Sequence, residues 1–209
     1  MFDKYFILKP GEKNVRAKTA LAPSIKKEEI FYKKINQAQI NLAIPVANAE
    51  LKEKWALDLF ASMLGRGMSS PLFEEIRDKR GLCYAVSASY FWGADYGLFR
   101  IYMGTDKEKY REAIDLALDI LGKNKNNKVL LGKAKKMEFG ELARRFENPL
   151  SIITRAAHDA AYFGKPYGLE DVERAIKDIT IQDIEKVVEK YLKPDQFKTV
   201  ILAPEDFKE

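Results

Sequence analysis

The chain has 209 residues, 46% of them hydrophobic and 32% charged, a globular composition with length for one large domain, and no apolar run approaches the ~18–20 residues of a membrane span. Its 36 basic and 31 acidic residues leave a net charge of +5 that is spread along the chain, whereas a nucleic-acid footprint needs its basic residues gathered on one face. One cysteine, Cys83, and one histidine, His158, exclude an intrachain disulfide, a cysteine-built metal cluster and any two-histidine zinc motif within this chain.

Residues 1–27, punctuated by Pro10-Gly11 and Pro23-Ser24, read as an N-terminal arm or linker, and residues 28–209 as one domain. The apolar stretch in Met1–Phe6 is too short for a signal peptide, so the visible chain reads as cytoplasmic unless a leader has been removed upstream. A β-branched and aromatic run at 28–35 predicts a first strand. Ala38, Ile40, Leu42, Ile44 and Val46 then alternate with Gln39, Asn41, Ala43 and Pro45, the period of a half-buried strand, with Pro45 pushing it toward a sheet edge. After Asn48, Leu51, Trp55, Leu59, Phe60, Met63 and Leu64 recur at helical spacing, and Gly65-Arg66-Gly67 stops that helix. A short helix over 71–79 follows, capped by Ser69 or Ser70, started by Pro71 and ended at Gly81 in a left-handed cap. Strands at 84–91 and 96–104 flank Gly93-Ala94-Asp95 as an antiparallel hairpin.

The second half reads as mostly helical. Tyr110, Ala113, Ile114, Ala117, Leu118 and Leu121 form one amphipathic stripe; residues 129–147 form a charged helix ended by Asn148-Pro149; residues 150–163 form a more apolar helix ended by Gly164. Thr180 and Asp183 stand at capping-box spacing for a helix through Tyr191, and 197–202 is a last strand. Few strands and helices in blocks predict an α+β fold: a two-layer sandwich, its sheet mainly antiparallel with helices on one face.

The most informative segment is Leu64-Gly-Arg-Gly-Met-Ser-Ser-Pro-Leu-Phe-Glu-Glu-Ile-Arg-Asp-Lys-Arg-Gly-Leu-Cys-Tyr84. Its residues alone describe a well-punctuated helix–turn–helix–strand connection, and no Gly-Lys-Ser/Thr follows to make a phosphate loop. The segment also resembles the second, C-terminal half-domain of the insulinase/pitrilysin zinc metallopeptidases, inverted zincins that include the mitochondrial processing peptidases. The family pattern there is Leu-Gly-Gly-Gly-Met-Ser-Ser-Arg-Leu-Phe, then Glu-Ile-Arg, then Lys-Arg-Gly-Leu-Ala-Tyr. The likeness continues in Tyr96-Gly-Leu-Phe99, Gly104-Thr-Asp106 and Glu147-Asn-Pro149 and covers roughly residues 28–203. Arg66, Pro71 and Cys83 depart from the pattern, at the loop and at the helix start. Asp3-Lys-Tyr-Phe6 resembles the end of the first half's last helix, which would put Met1 near the linker between halves.

The resemblance implies that zinc, bound by H-x-x-E-H and a distal glutamate, belongs to a partner half of the same parent chain or a separate subunit. This half holds no cofactor and no metal and is not expected to be active alone. It implies supporting catalytic roles for Arg77 and Tyr84: a phenol O–H donating to a tetrahedral oxyanion and a guanidinium holding a substrate carbonyl. Read from the residues alone, Arg77 pairs with a local carboxylate and Tyr84 is a core-edge residue. The implied partners are the zinc-bearing half and an extended peptide substrate, with self-association into a homo-oligomer left open. The alternative function is an inert structural half-domain of the same fold. His158, among alanines on a helix, reads as structural, and Cys83 as a small core residue. The aromatics Tyr84, Tyr90, Phe91, Trp92 and Tyr96 could stack bases but read as hairpin packing, so no nucleic acid is expected; Lys133–Arg145 reads as a solvated face.

Overall fold

The computed structural model describes residues 26–206; the expected N-terminal arm lies almost wholly outside the described residues. Five strands, β1 (Glu28–Lys33), β2 (Ala38–Ala47), β3 (Cys83–Trp92), β4 (Tyr96–Thr105) and β5 (Lys198–Pro204), form one sheet in the order β1-β5-β2-β4-β3. Six α-helices accompany it: α1 (Leu51–Gly65), α2 (Tyr110–Lys123), α3 (Lys128–Glu147), α4 (Pro149–Phe163), α5 (Leu169–Lys177) and α6 (Ile181–Tyr191). This is the α+β class read from the sequence. The sheet is mainly antiparallel, as read, with one parallel pairing: β5 returns beside β1 with Glu28 opposite Thr199 and Lys33 opposite Pro204.

The period-two strand behaves as its pattern demands: Ala38, Ile40, Leu42, Ile44 and Val46 are buried, and their neighbours are half-buried. Register carries the face across the sheet, since Ile40 lies opposite Met103 and Ile201, and Ile44 opposite Phe99. The opposite face carries Gln39, Asn41, Arg100, Tyr102 and Ser87. β2 proves to be interior rather than an edge, but β5 pairs it only from Gln39 to Ala43, so Pro45 lies past the end of that ladder.

Helix α1 packs on the apolar face with its capping carboxylate, Glu53, accepting the Glu50 N–H (2.9 Å). The sequence predicts a single buried stripe. In the fold α1 is buried nearly all round, from Ala56 and Leu57 through Leu59–Leu64, because α3, α5 and α6 pack over its back. Phe60 stacks on Phe99 at 6.0 Å, and Trp55, only half-buried, meets Trp92 edge-on at 5.4 Å. Leu59 is 1% exposed, so Leu59→Ala is expected to cost about 2–5 kcal/mol in urea-unfolding free energy.

A charged side chain sits in this packing. Lys54, 2% exposed, donates to the carbonyls of Gly93 (2.7 Å) and Ala94 (2.6 Å) and lies over the Trp92 ring, so it clamps the β3–β4 turn; burial pulls its pKa down. Asn148 serves two helices: it ends α3, and its side chain accepts the Leu150 N–H (2.9 Å) to start α4 at Pro149. The capping box at Thr180 and Asp183 forms as read. Helix α5, absent from the sequence reading, buries Val172 and Ile176.

Candidate functional site

The motif segment opens with a close approach. A Cβ added to Gly65 would lie 2.1 Å from the Ala88 backbone nitrogen and 2.9 Å from the Ser87 carbonyl carbon, so the last turn of α1 rests on the backbone of β3. The next helix winds as a π-helix over Phe73–Lys79 rather than as an α-helix. Its expected serine side-chain cap is not made: the Ser70 hydroxyl is buried without a partner among the described residues, and the Ser70 carbonyl accepts the Glu74 N–H instead. Gly81, at φ +58°, ends it in the left-handed region as read, and the Leu82 N–H reaches back to the Ile76 carbonyl (2.9 Å).

That turn brings the two expected site residues together. The Arg77 guanidinium lies 5.2 Å from the centre of the Tyr84 ring and 4.6 Å from that of Phe73, a cation–π pair on each side. A bulge between Cys83 and Ala85 lifts Tyr84 out of the β3–β4 ladder, leaving it 72% exposed. No carboxylate lies within ion-pair distance of Arg77, and no hydrogen-bond partner meets the Tyr84 hydroxyl, among the described residues. The local-carboxylate and core-edge readings of these residues are therefore not what the fold contains.

Cys83, next to Tyr84, is buried, and burial pushes its thiol up to about 11 against the lowering effect of Arg77. Arg80 turns away to Glu112 (3.5 Å). His158 sits on α4, partly exposed, beside Asp159 (3.5 Å) and against the Tyr162 ring at 4.3 Å. No group of three or more histidine, cysteine or acidic residues that could hold a metal occurs among the described residues, so their donor set does not fit zinc. No helix among them is long and apolar enough to cross a membrane.

A polar cluster behind the motif was not read from the sequence. Asp58 interrupts the apolar run of α1 and lines two cavities, of about 330 and 570 Å³, flanked by α3 and by α4. Arg66, just past the end of α1, pairs with Glu138 of α3. Burial first, and then Glu138, push the Asp58 carboxyl up to about 7, against Arg66, Arg145 and Arg155. The native state thus holds a proton on Asp58 that the unfolded chain releases near pH 4. Stability contributed by the neutral carboxyl is whole below that pH and is lost as pH rises to about 7. Asp58→Asn should flatten this fall. Between pH 5 and pH 8 the variant's urea-unfolding free energy should gain roughly 2–3 kcal/mol on wild type, and parallel curves would mean that water screens the carboxyl.

A family model described as the peptidase M16 inactive domain matches residues 1–136. The chain belongs to the M16 peptidase family. The match agrees with the resemblance carried by the motif, and it falls on the family's inactive, C-terminal domain. Among curated relatives, an uncharacterised zinc protease of Mycobacterium tuberculosis is 26% identical over 171 residues, covering 80% of this chain and 39% of that protein. Zinc protease PqqE of Helicobacter pylori is 28% identical over 156 residues, covering 73% and 35%. The M16 domain described here thus spans about two-fifths of the length of the relatives it matches. In fold it is similar to a protease from Helicobacter pylori (TM-score 0.74, 24% identity, 97% of this chain and 50% of that one). It is equally similar to a peptidase M16 inactive domain from Pseudomonas fluorescens (TM-score 0.75, 22% identity, 95% and 48%).

Proposed function

We propose that this inactive M16 domain is the non-zinc half of a zinc endopeptidase, completing a peptide site whose metal is carried by a partner half. The observation that carries this reading is the Arg77–Tyr84 pair. Among the described residues, a guanidinium without a carboxylate and a phenol without a hydrogen-bond partner stand side by side at an exposed bulge, held by two ring contacts that leave their polar atoms unused. Water satisfies these exposed atoms in the resting protein, so a bound peptide can take its place. In the proposed role the Arg77 N–H groups hold a backbone carbonyl of the peptide, and the Tyr84 O–H donates to the oxygen on which negative charge develops. The metal-activated water belongs to the partner. Zinc protease relatives more than twice as long as this chain support a parent with room for that partner.

The test is reconstitution. Mixed with the zinc-bearing half of its parent or of a neighbouring gene, the chain should support cleavage of an unstructured peptide, whereas either half alone should leave it intact. After desalting, elemental analysis should find no stoichiometric zinc on this chain. Full activity of the zinc half by itself would reduce this domain to the scaffold alternative.

A further inference from the structure

The charges around Asp58 do not close on themselves. Three guanidiniums act on its carboxyl, and each already has a carboxylate: Arg66 pairs with Glu138, Arg145 with Glu141 (3.1 Å) and Arg155 with Asp159 (3.4 Å). Asp58 is the fourth carboxyl of the group, and it makes no ion pair and no hydrogen bond among the described residues.

The larger of the two cavities it lines, about 570 Å³, is walled by α1, the end of β3, α3 and α4. Trp55, Trp92, Phe146, Leu150 and Ile152 give it an apolar lining, the make-up of a small-molecule site in which a few polar groups fix orientation. One such group is Asp58; another is Arg155, whose Nε is buried without a hydrogen-bond partner. Arg155 is held from two sides, by Asp159 and by the Trp55 ring at 5.9 Å, and forms no hydrogen bond among the described residues. It stands near enough to Asp58 to pull the acid's pKa down, yet the two form no ion pair. Arg145, His158 and Asp159 complete the charged lining, and Arg66 and Glu138 stand on the side of the smaller cavity. The cavity therefore holds an unused acceptor and an unused donor with a gap between them, beside two indoles.

These charges select the ligand. A simple anion would compete with Asp159 for Arg155 and leave Asp58 alone. A simple cation would meet Asp58 but also face Arg145 and Arg155. A zwitterion supplies both missing partners and brings no net charge into a site where unpaired charge is unfavourable. We infer that the cavity between α1 and α4 binds a free apolar α-amino acid, its ammonium on Asp58, its carboxylate on Arg155 and its side chain against Trp55 and Trp92. An ammonium and a carboxylate on one carbon match an acceptor and a donor that are close without touching. The ammonium needs Asp58 ionised, so binding displaces the proton that burial keeps there up to about pH 7, and affinity rises with pH through that range.

The test needs only the 209-residue chain. Its two tryptophans, Trp55 and Trp92, both line the cavity, so tryptophan fluorescence, excited where the probes do not absorb, reports on this site. The probes are L-phenylalanine and its two halves: phenethylamine, which lacks the carboxylate, and 3-phenylpropanoate, which lacks the ammonium. L-Phenylalanine should change the emission saturably and bind about tenfold more tightly than either half, since each half forfeits a charge-assisted hydrogen bond. Its affinity should rise about tenfold from pH 6 to pH 8, because Asp58, titrating at about 7, goes from about one-tenth to about nine-tenths ionised while the probe's own charges stay fixed. Asp58→Asn should weaken L-phenylalanine, remove that rise and leave 3-phenylpropanoate bound; His158→Gln should keep the rise. Arg155→Gln should weaken L-phenylalanine and 3-phenylpropanoate and leave phenethylamine bound, which shows that the variant's cavity is intact. No saturable change with L-phenylalanine at millimolar concentration would overturn the inference. So would either half binding as tightly as the amino acid, a rise with pH that survives Asp58→Asn or disappears with His158→Gln, or L-phenylalanine affinity unmoved by Arg155→Gln.

Discussion

Tyr84→Phe should lower peptide turnover by the reconstituted peptidase about 10²–10³-fold while leaving the melting temperature of the domain unchanged. The substitution removes one oxygen and keeps the ring, so the stacking of Arg77 on Tyr84 at 5.2 Å and the bulge that presents it survive. The hydroxyl has no partner among the described residues and lies on a side chain 72% exposed, so its loss vacates no internal hydrogen bond. Turnover measured with saturating partner half, beside a melting curve, separates the two effects. A drop in melting temperature with turnover intact would make Tyr84 a structural hydroxyl and remove the catalytic assignment.

Gly65→Ala is expected to have the largest effect on stability of any Gly→Ala substitution among the described residues. The new Cβ would overlap the Ala88 nitrogen at 2.1 Å and the Ser87 carbonyl carbon at 2.9 Å, and both obstacles are backbone, which cannot swing aside as a side-chain tip can. Relief requires α1 to lift from β3, opening the contact between the most buried helix and the edge strand. Overpacking of this kind costs about 3 kcal/mol or more. For a domain of this size that lowers the melting temperature by roughly 6–12 °C. Gly67→Ala, at φ +82° but beside only the flexible tip of Met137, gives a control in which strain comes from the backbone angle and not from collision; it should cost less. Equal losses at both positions would show that α1 and β3 are not in the contact described.

Much of this architecture was legible because the sequence is locally consistent. The alternation from Ala38 to Val46, the Gly81 and Gly164 stops, the Asn148-Pro149 junction and the Thr180–Asp183 box each became what their residue types dictate. What escaped is what local pattern does not encode. The parallel pairing of β1 with β5 joins residues about 170 positions apart, and no period in either strand names the other. The burial of α1 on all sides depends on α3, α5 and α6 arriving later in the chain. Helix α5 did leave a signal, Leu169, Val172 and Ile176 at helical spacing, but it is short and crowded by Gly164, Pro166 and Gly168. At the site, the spacing of Arg77 and Tyr84 could be read only through family resemblance; their proximity comes from the Gly81 turn and the bulge at Tyr84. Asp58 and Lys54 were readable in principle, as charged residues inside the apolar run of a core helix, a placement that costs stability unless something compensates it.

The strand made last has the most central errand in time. β5 lies between β1 and β2, so the slot it fills stands empty on the ribosome while some 150 residues are added after β2 is complete, roughly 8 to 30 seconds of synthesis. Through that interval β1 has no neighbour to hold it, and Ile40 and Leu42 lack Ile201 and Thr199 beside them. The nascent chain therefore leaves the position between its first two strands unpaired until Lys198–Pro204 emerges. A chain cut before Lys198 would keep the sequence of all six helices and leave β1 with no strand to pair with.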